Sequence, residues 1–378
     1  MSGGAAVGVT ISRAPAAQSG RKLMTGSEAL ARSMIAAGCR FFAGYPMTPF
    51  TEVLEHMARL LPASGGVCMN AESEIEAVGM AWGAAATGAL AATGSTGQGL
   101  SLMQESLAEI TLARLPLVVL NMARGQGDYF QATRGGGHGD YRHVVLAPKD
   151  AAEAVELVGL AFELTTRWRN PVVVMGDYYL AHTSRTVEIP PPRAPSVPAW
   201  ALDGSSGGSG AAKLVSFLGS YKQRDDVGYN LADHYRACAA ETKAMVAGVT
   251  PLAETHHVDD AEVIAVAFGT PARFVLAAVR ELRAEGARVG LVRPITLFPF
   301  PSAALAAAAS GAKVVAVYEN NQGQMVDDVR LSLLGAVPVE FIGGLSLDDS
   351  GFGIGPELEV GEVRRRIEAL LGRGTSGA

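Results

Sequence analysis

Apolar positions along this chain follow two alternating rhythms. From Leu23 to about His182, segments with an apolar residue every three or four positions give way to short runs that are apolar almost throughout. The first rhythm predicts helices near 27–38, 50–61, 72–88, 100–113 and 150–167. The second predicts strands near 40–43, 67–69, 90–93, 116–121, 144–146 and 171–175. Runs such as Leu117-Val-Val-Leu120 and Val172-Val-Val-Met175 have no polar face, as expected of strands covered on both sides. Regular alternation of this kind implies a parallel sheet with helices on both faces.

The pattern breaks at Ile189-Pro-Pro-Pro-Arg-Ala-Pro195 and again at Gly204-Ser-Ser-Gly-Gly-Ser-Gly210, compositions of a linker or surface excursion. Helical character returns over 222–255, which reads as a connector. A second α/β unit opens with the strand Glu262–Phe268. It runs into Gly269-Thr270-Pro271, where Thr270 can cap and Pro271 can start a helix. Further strands are expected at Val289–Val292, Lys313–Val317 and Val337–Phe341. The expected organisation is a flexible tail over 1–21, a doubly wound α/β domain over 22–188, a linker and helical connector over 189–259, and a second α/β domain over 260–372. The two halves show no close internal repeat.

Composition narrows the function classes. The chain has 378 residues, 48% hydrophobic and 18% charged, enough for more than one core. Its net charge of −6 opposes a nucleic-acid surface, and 6% aromatics opposes a stacking platform for single strands. Cys39, Cys68 and Cys238 lie far apart and form no Cys-x-x-Cys pair, so no iron–sulfur or zinc motif is present. They read as reduced thiols of a cytoplasmic protein. Arg13 interrupts the one candidate signal core, and no run is long enough to span a bilayer. The acid-poor start resembles a transit peptide only weakly, and a disordered tail is expected.

Glu74 is the most informative residue. Acids at 72, 74 and 76 crowd the start of a small, apolar helix that follows the strand Val67-Cys-Met69. Negative charge there is favoured by the helix dipole, which accounts for Glu72 and Glu76. Positions two apart lie roughly 200° apart round a helix, so Glu74 faces differently from its neighbours and can point into a cleft.

Other candidates sit where strands end, the edge at which open parallel sheets bind ligands. After the strand 40–43 comes Gly44-Tyr-Pro-Met-Thr-Pro49, whose two prolines fix the backbone around the Thr48 hydroxyl. After Thr93 comes Gly94-Ser-Thr-Gly-Gln-Gly99, which suits close backbone approach to a ligand. It is neither a Walker loop nor a dinucleotide fingerprint. After Met122 comes Arg124 and a long loop to Arg142. A guanidinium fork matches a carboxylate, so Arg124 is the best carboxylate clamp; its competing role is a surface pairing with Asp128. His138 reads as a loop anchor, and the His138/Asp140 pair lacks the ligands for a metal.

Together these motifs resemble the alpha subunit of the thiamine-diphosphate-dependent 2-oxoacid:ferredoxin oxidoreductases. The resemblance rests on Tyr45-Pro-Met-Thr-Pro49, Ala71-Glu-Ser-Glu74, Gly99-Leu-Ser-Leu-Met-Gln-Glu105 and Asp128-Tyr-Phe-Gln-Ala-Thr-Arg-Gly-Gly-Gly-His-Gly-Asp-Tyr-Arg142. It continues through Val292-Arg-Pro-Ile-Thr-Leu-Phe-Pro299 and Glu319-Asn-Asn-Gln-Gly-Gln-Met-Val-Asp-Asp-Val-Arg330. The order holds over roughly 22–185 and 260–345. The long loop is most similar to the branched-chain (3-methyl-2-oxobutanoate) type, then to the 2-oxoglutarate type.

The resemblance implies a pyrimidine-binding domain followed by a transketolase C-terminal-like domain. It implies oxidative decarboxylation of a 2-oxoacid to an acyl-CoA, with electrons passing to ferredoxin. Glu74 matches the carboxylate that activates the aminopyrimidine of thiamine diphosphate through its ring nitrogen. Thr48 and Arg124 match substrate contacts, and Tyr45, Pro46, Gly97 and Gln98 fall in the cofactor-binding segments. A beta subunit would hold the diphosphate and Mg²⁺; iron–sulfur clusters would lie on partners, including ferredoxin-like and gamma subunits, in a dimer of heteromers. Three features depart from the family pattern: Gly125 runs straight into Gln126 where about a dozen further residues are usual, the Gly-rich loop reads Gly-Ser-Thr-Gly-Gln-Gly, and Gly343-Gly-Leu-Ser-Leu-Asp-Asp349 replaces a Pro-containing segment. Two rival readings are a non-oxidative thiamine-dependent decarboxylase or carboligase subunit and a non-catalytic scaffold subunit.

Overall fold

A computed structural model describes residues 20–194, 196–202, 231–344 and 358–371. Residues 1–19 of the sequence-predicted tail, the Gly/Ser stretch at 204–210, the start of the connector and residues 345–349 of the departure lie outside the described residues, whereas Arg21 at the tail's predicted end opens a strand. The strands of the first half are β1 (Arg21–Thr25), β2 (Phe41–Gly44), β3 (Val67–Asn70), β4 (Ala91–Ser95), β5 (Val118–Ala123), β6 (Val144–Leu146), β7 (Val172–Asp177) and β8 (Ser184–Glu188). Its helices are α1 (Gly26–Ala36), α2 (Thr51–Leu60), α3 (Glu74–Ala86), α4 (Gly97–Leu112), α5 (Tyr129–Thr133), α6 (Ala151–Trp168) and α7 (Tyr178–His182). The connector holds α8 (Leu231–Gly248). The second half holds β9 (Ala253–His256), β10 (Val263–Val266), α9 (Pro271–Ala284), β11 (Val289–Pro294), β12 (Thr296–Phe298), α10 (Ser302–Ala309), β13 (Val314–Val317), α11 (Met325–Leu333), β14 (Val339–Phe341) and α12 (Val360–Leu371).

The main sheet runs β12-β6-β7-β5-β4-β2-β3, parallel except for β12. Every residue of β5 is buried, as its unbroken apolar run requires. Each fully buried Val or Leu there contributes about 1.5–3 kcal/mol relative to exposure. The second sheet runs β14-β13-β10-β11-β9, with β9 antiparallel at its edge. The predicted two α/β units are therefore present, with three additions. β1 and β8 pair as a two-stranded antiparallel ribbon. β9 closes the edge of the second sheet, and β12 crosses over to pair with β6, so the second half contributes a strand to the first sheet.

The main sheet places the functional loops together. The chain leaves β2, passes through α2 to β3 on one side, then returns through α3 to β4 on the other side of β2. This reversal puts the carboxyl ends of β2, β4 and β5, and the start of α3, along one edge. Two glycines make it tight: a side chain at Gly44 or Gly94 would strike the ring of Phe50, which packs against both strands.

Candidate functional site

Helix α3 begins at Glu74, two residues later than its acid-rich pattern predicts. Ser73 takes extended backbone and its hydroxyl accepts the Ile75 N–H, making it the N-cap. Glu72 and Glu76 are exposed while Glu74 is only 2% exposed. The expected difference in facing is realised. Glu76 accepts from the Ser73 hydroxyl and stabilises the helix start.

Buried Glu74 has one protein partner: Ser95, at the end of β4, donates its hydroxyl to Oε1 at 2.7 Å. That is the one side-chain hydrogen bond Glu74 forms among the described residues, and Oε2 is not one of the fully buried unsatisfied oxygens. The carboxylate lies against the first turn of α4, which starts at Gly97, earlier than predicted. A Cβ on Gly99 would stand 2.0 Å from Ser95 Oγ and 2.4 Å from Glu74 Oε1, so only glycine allows this carboxylate to sit there. A Cβ on Gly97 would meet Asp128 Oδ1 at 2.1 Å. Close backbone approach, the reading given to this loop, thus serves two carboxylates.

Beside this turn lies an open cleft of about 470 Å³, lined by Gly97, Gln98 and Arg124 together with Asp128, Asn320 and Gln324, among others. Arg124 is exposed and donates Nε to the Thr48 carbonyl at 3.1 Å, so the two predicted substrate residues are brought together. Tyr45 is half-buried and Pro46 exposed in the loop leading to Thr48, without lining the cleft. Glu74 does not line the cleft; it lies against Gly99, which follows the lining residues Gly97 and Gln98 in the same helix turn. The alternative pairing of Arg124 with Asp128 is not formed. Asp128 accepts from Asn121 Nδ2 at 3.0 Å and Gln131 Nε2 at 3.1 Å. Burial pushes its carboxyl up, and those bonds and the Arg124 charge oppose the rise.

Local pattern missed the cleft's second wall. Gln126 Nε2 donates to the Phe268 carbonyl at 3.0 Å, and Gln126 Oε1 accepts the Asn320 N–H at 2.9 Å. Asn321 Nδ2 donates to the Gln126 carbonyl, and Gln324 joins Phe130 N–H to the Gly127 carbonyl. Tyr129 donates its hydroxyl to Asp328, which also receives both terminal nitrogens of Arg134. The loop expected to be structureless therefore contains α5 and is fastened to the second domain. Glu319 supports this wall: it is fully buried and accepts N–H groups of Gln324, Met325 and Val326 plus Asn321 Nδ2. Burial raises its carboxyl and these donors oppose the rise.

His138 pairs with Glu109 at 3.1 Å, the expected loop anchor. No group of three metal-ligating side chains occurs among the described residues. The three cysteines are unpaired; burial raises the thiols of Cys39 to about 12 and Cys68 to about 11. No helix among the described residues is long and apolar enough to cross a membrane.

Comparison with known proteins agrees with this arrangement. Residues 32–199 match the family described as pyruvate flavodoxin/ferredoxin oxidoreductase, thiamine diP-bdg, and residues 261–350 match pyruvate:ferredoxin oxidoreductase core domain II. Ketoisovalerate oxidoreductase subunit VorB of Methanothermobacter marburgensis is 33% identical over 93% of this chain and 98% of its own length. The 2-oxoglutarate synthase subunit KorA of Methanothermobacter thermautotrophicus is 35% identical over 84% of this chain and 92% of its own. Among solved structures, 2-oxoglutarate:ferredoxin oxidoreductase from Magnetococcus marinus superposes with a TM-score of 0.78 at 26% identity, covering 93% of this chain and 65% of that one. A split-gene transketolase superposes with a TM-score of 0.55 at 15% identity, a likeness of fold alone. The buried carboxylate behind a glycine-opened helix turn, the arginine-bearing cleft and these matches over both halves place the chain in the family of 2-oxoacid:ferredoxin oxidoreductase alpha subunits.

Proposed function

We propose that this chain carries the aminopyrimidine-facing half of the thiamine diphosphate site and that Glu74 is the carboxylate set against the ring nitrogen. The observation that carries the reading is a buried glutamate whose carboxylate has a single protein partner, Ser95, and lies against a Cβ-less helix turn. A bound N–H would give this carboxylate a second, charge-assisted hydrogen bond. When bound, thiamine diphosphate supplies the carbon nucleophile that attacks the 2-oxo carbon and takes up the electrons released with CO₂. Glu74 holds the ring proton, and Ser95 holds Glu74. Gly97, Gln98, Tyr45 and Pro46 shape the approach, the Thr48 hydroxyl meets the oxo group, and the Arg124 fork takes the carboxylate.

Arg124 is the one cation among the described residues lining the cleft; its other polar walls are largely amides. That matches a 2-oxoacid with a single carboxylate, such as the branched-chain substrate in the VorB relatives' name. A second reading, 2-oxoglutarate, draws on the KorA relatives and requires another cation from elsewhere. The diphosphate, Mg²⁺ and iron–sulfur clusters belong to partner subunits in this reading, with CoA and ferredoxin as acceptors.

The test is turnover of the assembled heteromeric complex with thiamine diphosphate, Mg²⁺ and CoA, followed by reduction of a viologen dye. Glu74→Gln should lower it by about a hundredfold or more. Unchanged turnover would remove Glu74 from the chemistry. A preference for 2-oxoglutarate over 3-methyl-2-oxobutanoate would overturn the single-carboxylate reading.

A further inference from the structure

A second cavity, of about 310 Å³, lies at the junction of the two halves, away from the cleft of Arg124. It is bounded by the start of α6, by β8, by β9 and β11, and by one face of α9. Five of its lining side chains are cations, Lys149, Arg185, Arg273, Arg280 and Arg293, in a chain whose net charge is −6. Part of that charge is already answered. Arg293, 3% exposed in its side chain, donates to Glu153 at 2.6 and 3.0 Å and to Glu254 at 2.7 Å. Lys149 Nζ donates to Glu254 at 2.6 Å, and Arg185 lies 3.6 Å from Asp150.

Arg273 and Arg280 have no such answer. Neither side chain forms a hydrogen bond or ion pair with another described residue. They lie seven residues apart on α9, two turns along the same face, with Leu276 between them. Arg273 stands in the first turn, where the helix dipole disfavours a cation. The fold therefore holds two unpaired guanidinium groups over a preformed cavity, the first of them against the helix dipole. Ala272, Leu276 and Leu291 give the same cavity an apolar side. Its volume falls at the small end of ligand sites.

We propose that this cavity binds a phosphate-bearing small molecule, with Arg273 and Arg280 taking the phosphates and the Leu276–Leu291 side receiving an apolar ring such as adenine. Guanidinium forks match phosphate oxygens bidentately, and the neutralised Glu153–Arg293–Glu254–Lys149 network beneath supplies a rigid floor. The assignment does not depend on the role of Glu74. Free nucleotides and the adenosine 3′,5′-bisphosphate portion of CoA present the same chemistry.

The experiment is calorimetric titration of the intact heteromeric complex with ADP, with CoA and with citrate, repeated on the complex carrying Arg273→Ala plus Arg280→Ala. We expect saturable ADP binding, one site per chain, weakened by at least about tenfold in the double variant and by raised salt. If CoA displaces ADP from this site, the cosubstrate is the source of the phosphates; if it does not, the ligand is a free nucleotide. Absence of saturable ADP and CoA binding, equal binding by the double variant, or binding of citrate alone would each overturn the proposal. A charge-preserving pair, Arg273→Lys plus Arg280→Lys, should recover part of the affinity, which loss of folding in the alanine variant could not explain.

Discussion

Two buried glutamates stand near helix starts in the two halves of this molecule, and they are answered in opposite ways. Glu319 follows β13, is fully buried, and receives three backbone N–H groups and the Asn321 amide, so the first turn of α11 is closed around it. Glu74 opens α3, is nearly as buried, and receives a single hydroxyl. The first carboxylate does for its helix what a capping side chain does, by satisfying orphan donors. The second satisfies nothing in its own helix. A buried carboxylate saturated by backbone belongs to the architecture, whereas one left half-answered beside an opening is held for a ligand.

Exchanging each acid for its amide should separate the two roles. Glu319→Gln puts an amide NH₂ against backbone donors, leaving buried N–H groups unpaired, and should cost about 2–4 kcal/mol in denaturant unfolding. Glu74→Gln should leave the unfolding midpoint nearly unmoved while abolishing turnover. Equal losses of stability in both would break the distinction. Gly99→Ala sharpens it: the new Cβ must displace Ser95 or Glu74, and a displacement on the order of 1 Å should lower turnover by ten- to about a hundredfold. The accompanying overpacking should cost about 1–3 kcal/mol. Ser95→Ala removes the one bond that orients Glu74 and should lower turnover by about tenfold, with a stability change near 1 kcal/mol. Full activity in Ser95→Ala would mean that the bound cofactor alone positions the carboxylate.

Of these two glutamates, Glu74 was legible in the local sequence pattern and Glu319 was not, for a physical reason. Glu74 stands out because an acid among Ala, Gly and Met contradicts its surroundings, and the 3.6-residue period says that it faces away from Glu72 and Glu76. The alternating α/β pattern was equally visible, since fully buried parallel strands such as Val172–Asp177 carry their signal locally. Glu319 lies in a polar run, Glu-Asn-Asn-Gln-Gly-Gln, which carries the family resemblance but whose local pattern predicts no burial; it is buried only because its partners fold over it. The anchors of the long loop, Gln126 to Asn320 and Tyr129 to Asp328, are nearly two hundred residues apart. No periodicity reports such contacts. The edge strands β9 and β12 escaped for a related reason: Ala253-Glu-Thr-His256 is partly exposed, and Thr296-Leu-Phe298 is short and flanked by prolines. Each is a strand only because a neighbour offers an edge.

A third carboxylate extends the comparison to charge. Glu254 sits on β9 and is answered by cations rather than by hydroxyl or backbone. Burial alone would raise its carboxyl, but the Lys149 bond and Arg293 override that and hold it at about 2, against the ordinary 4.5. A carboxyl depressed in the folded state contributes stability above its unfolded value and loses it as pH falls through the folded one. The contribution of Glu254 should therefore be complete above pH 4.5 and fade toward pH 2. Glu319, raised by burial, has the opposite sign: its contribution is complete below the ordinary carboxylate value and declines as pH rises through its folded value. Unfolding measured from pH 7 downward should show Glu254→Gln less stable than the parent chain at neutral pH, with the gap closing below pH 4.5. A gap that stays constant across that window would mean that the junction is held by packing and that the Lys149–Glu254–Arg293 charges merely decorate it.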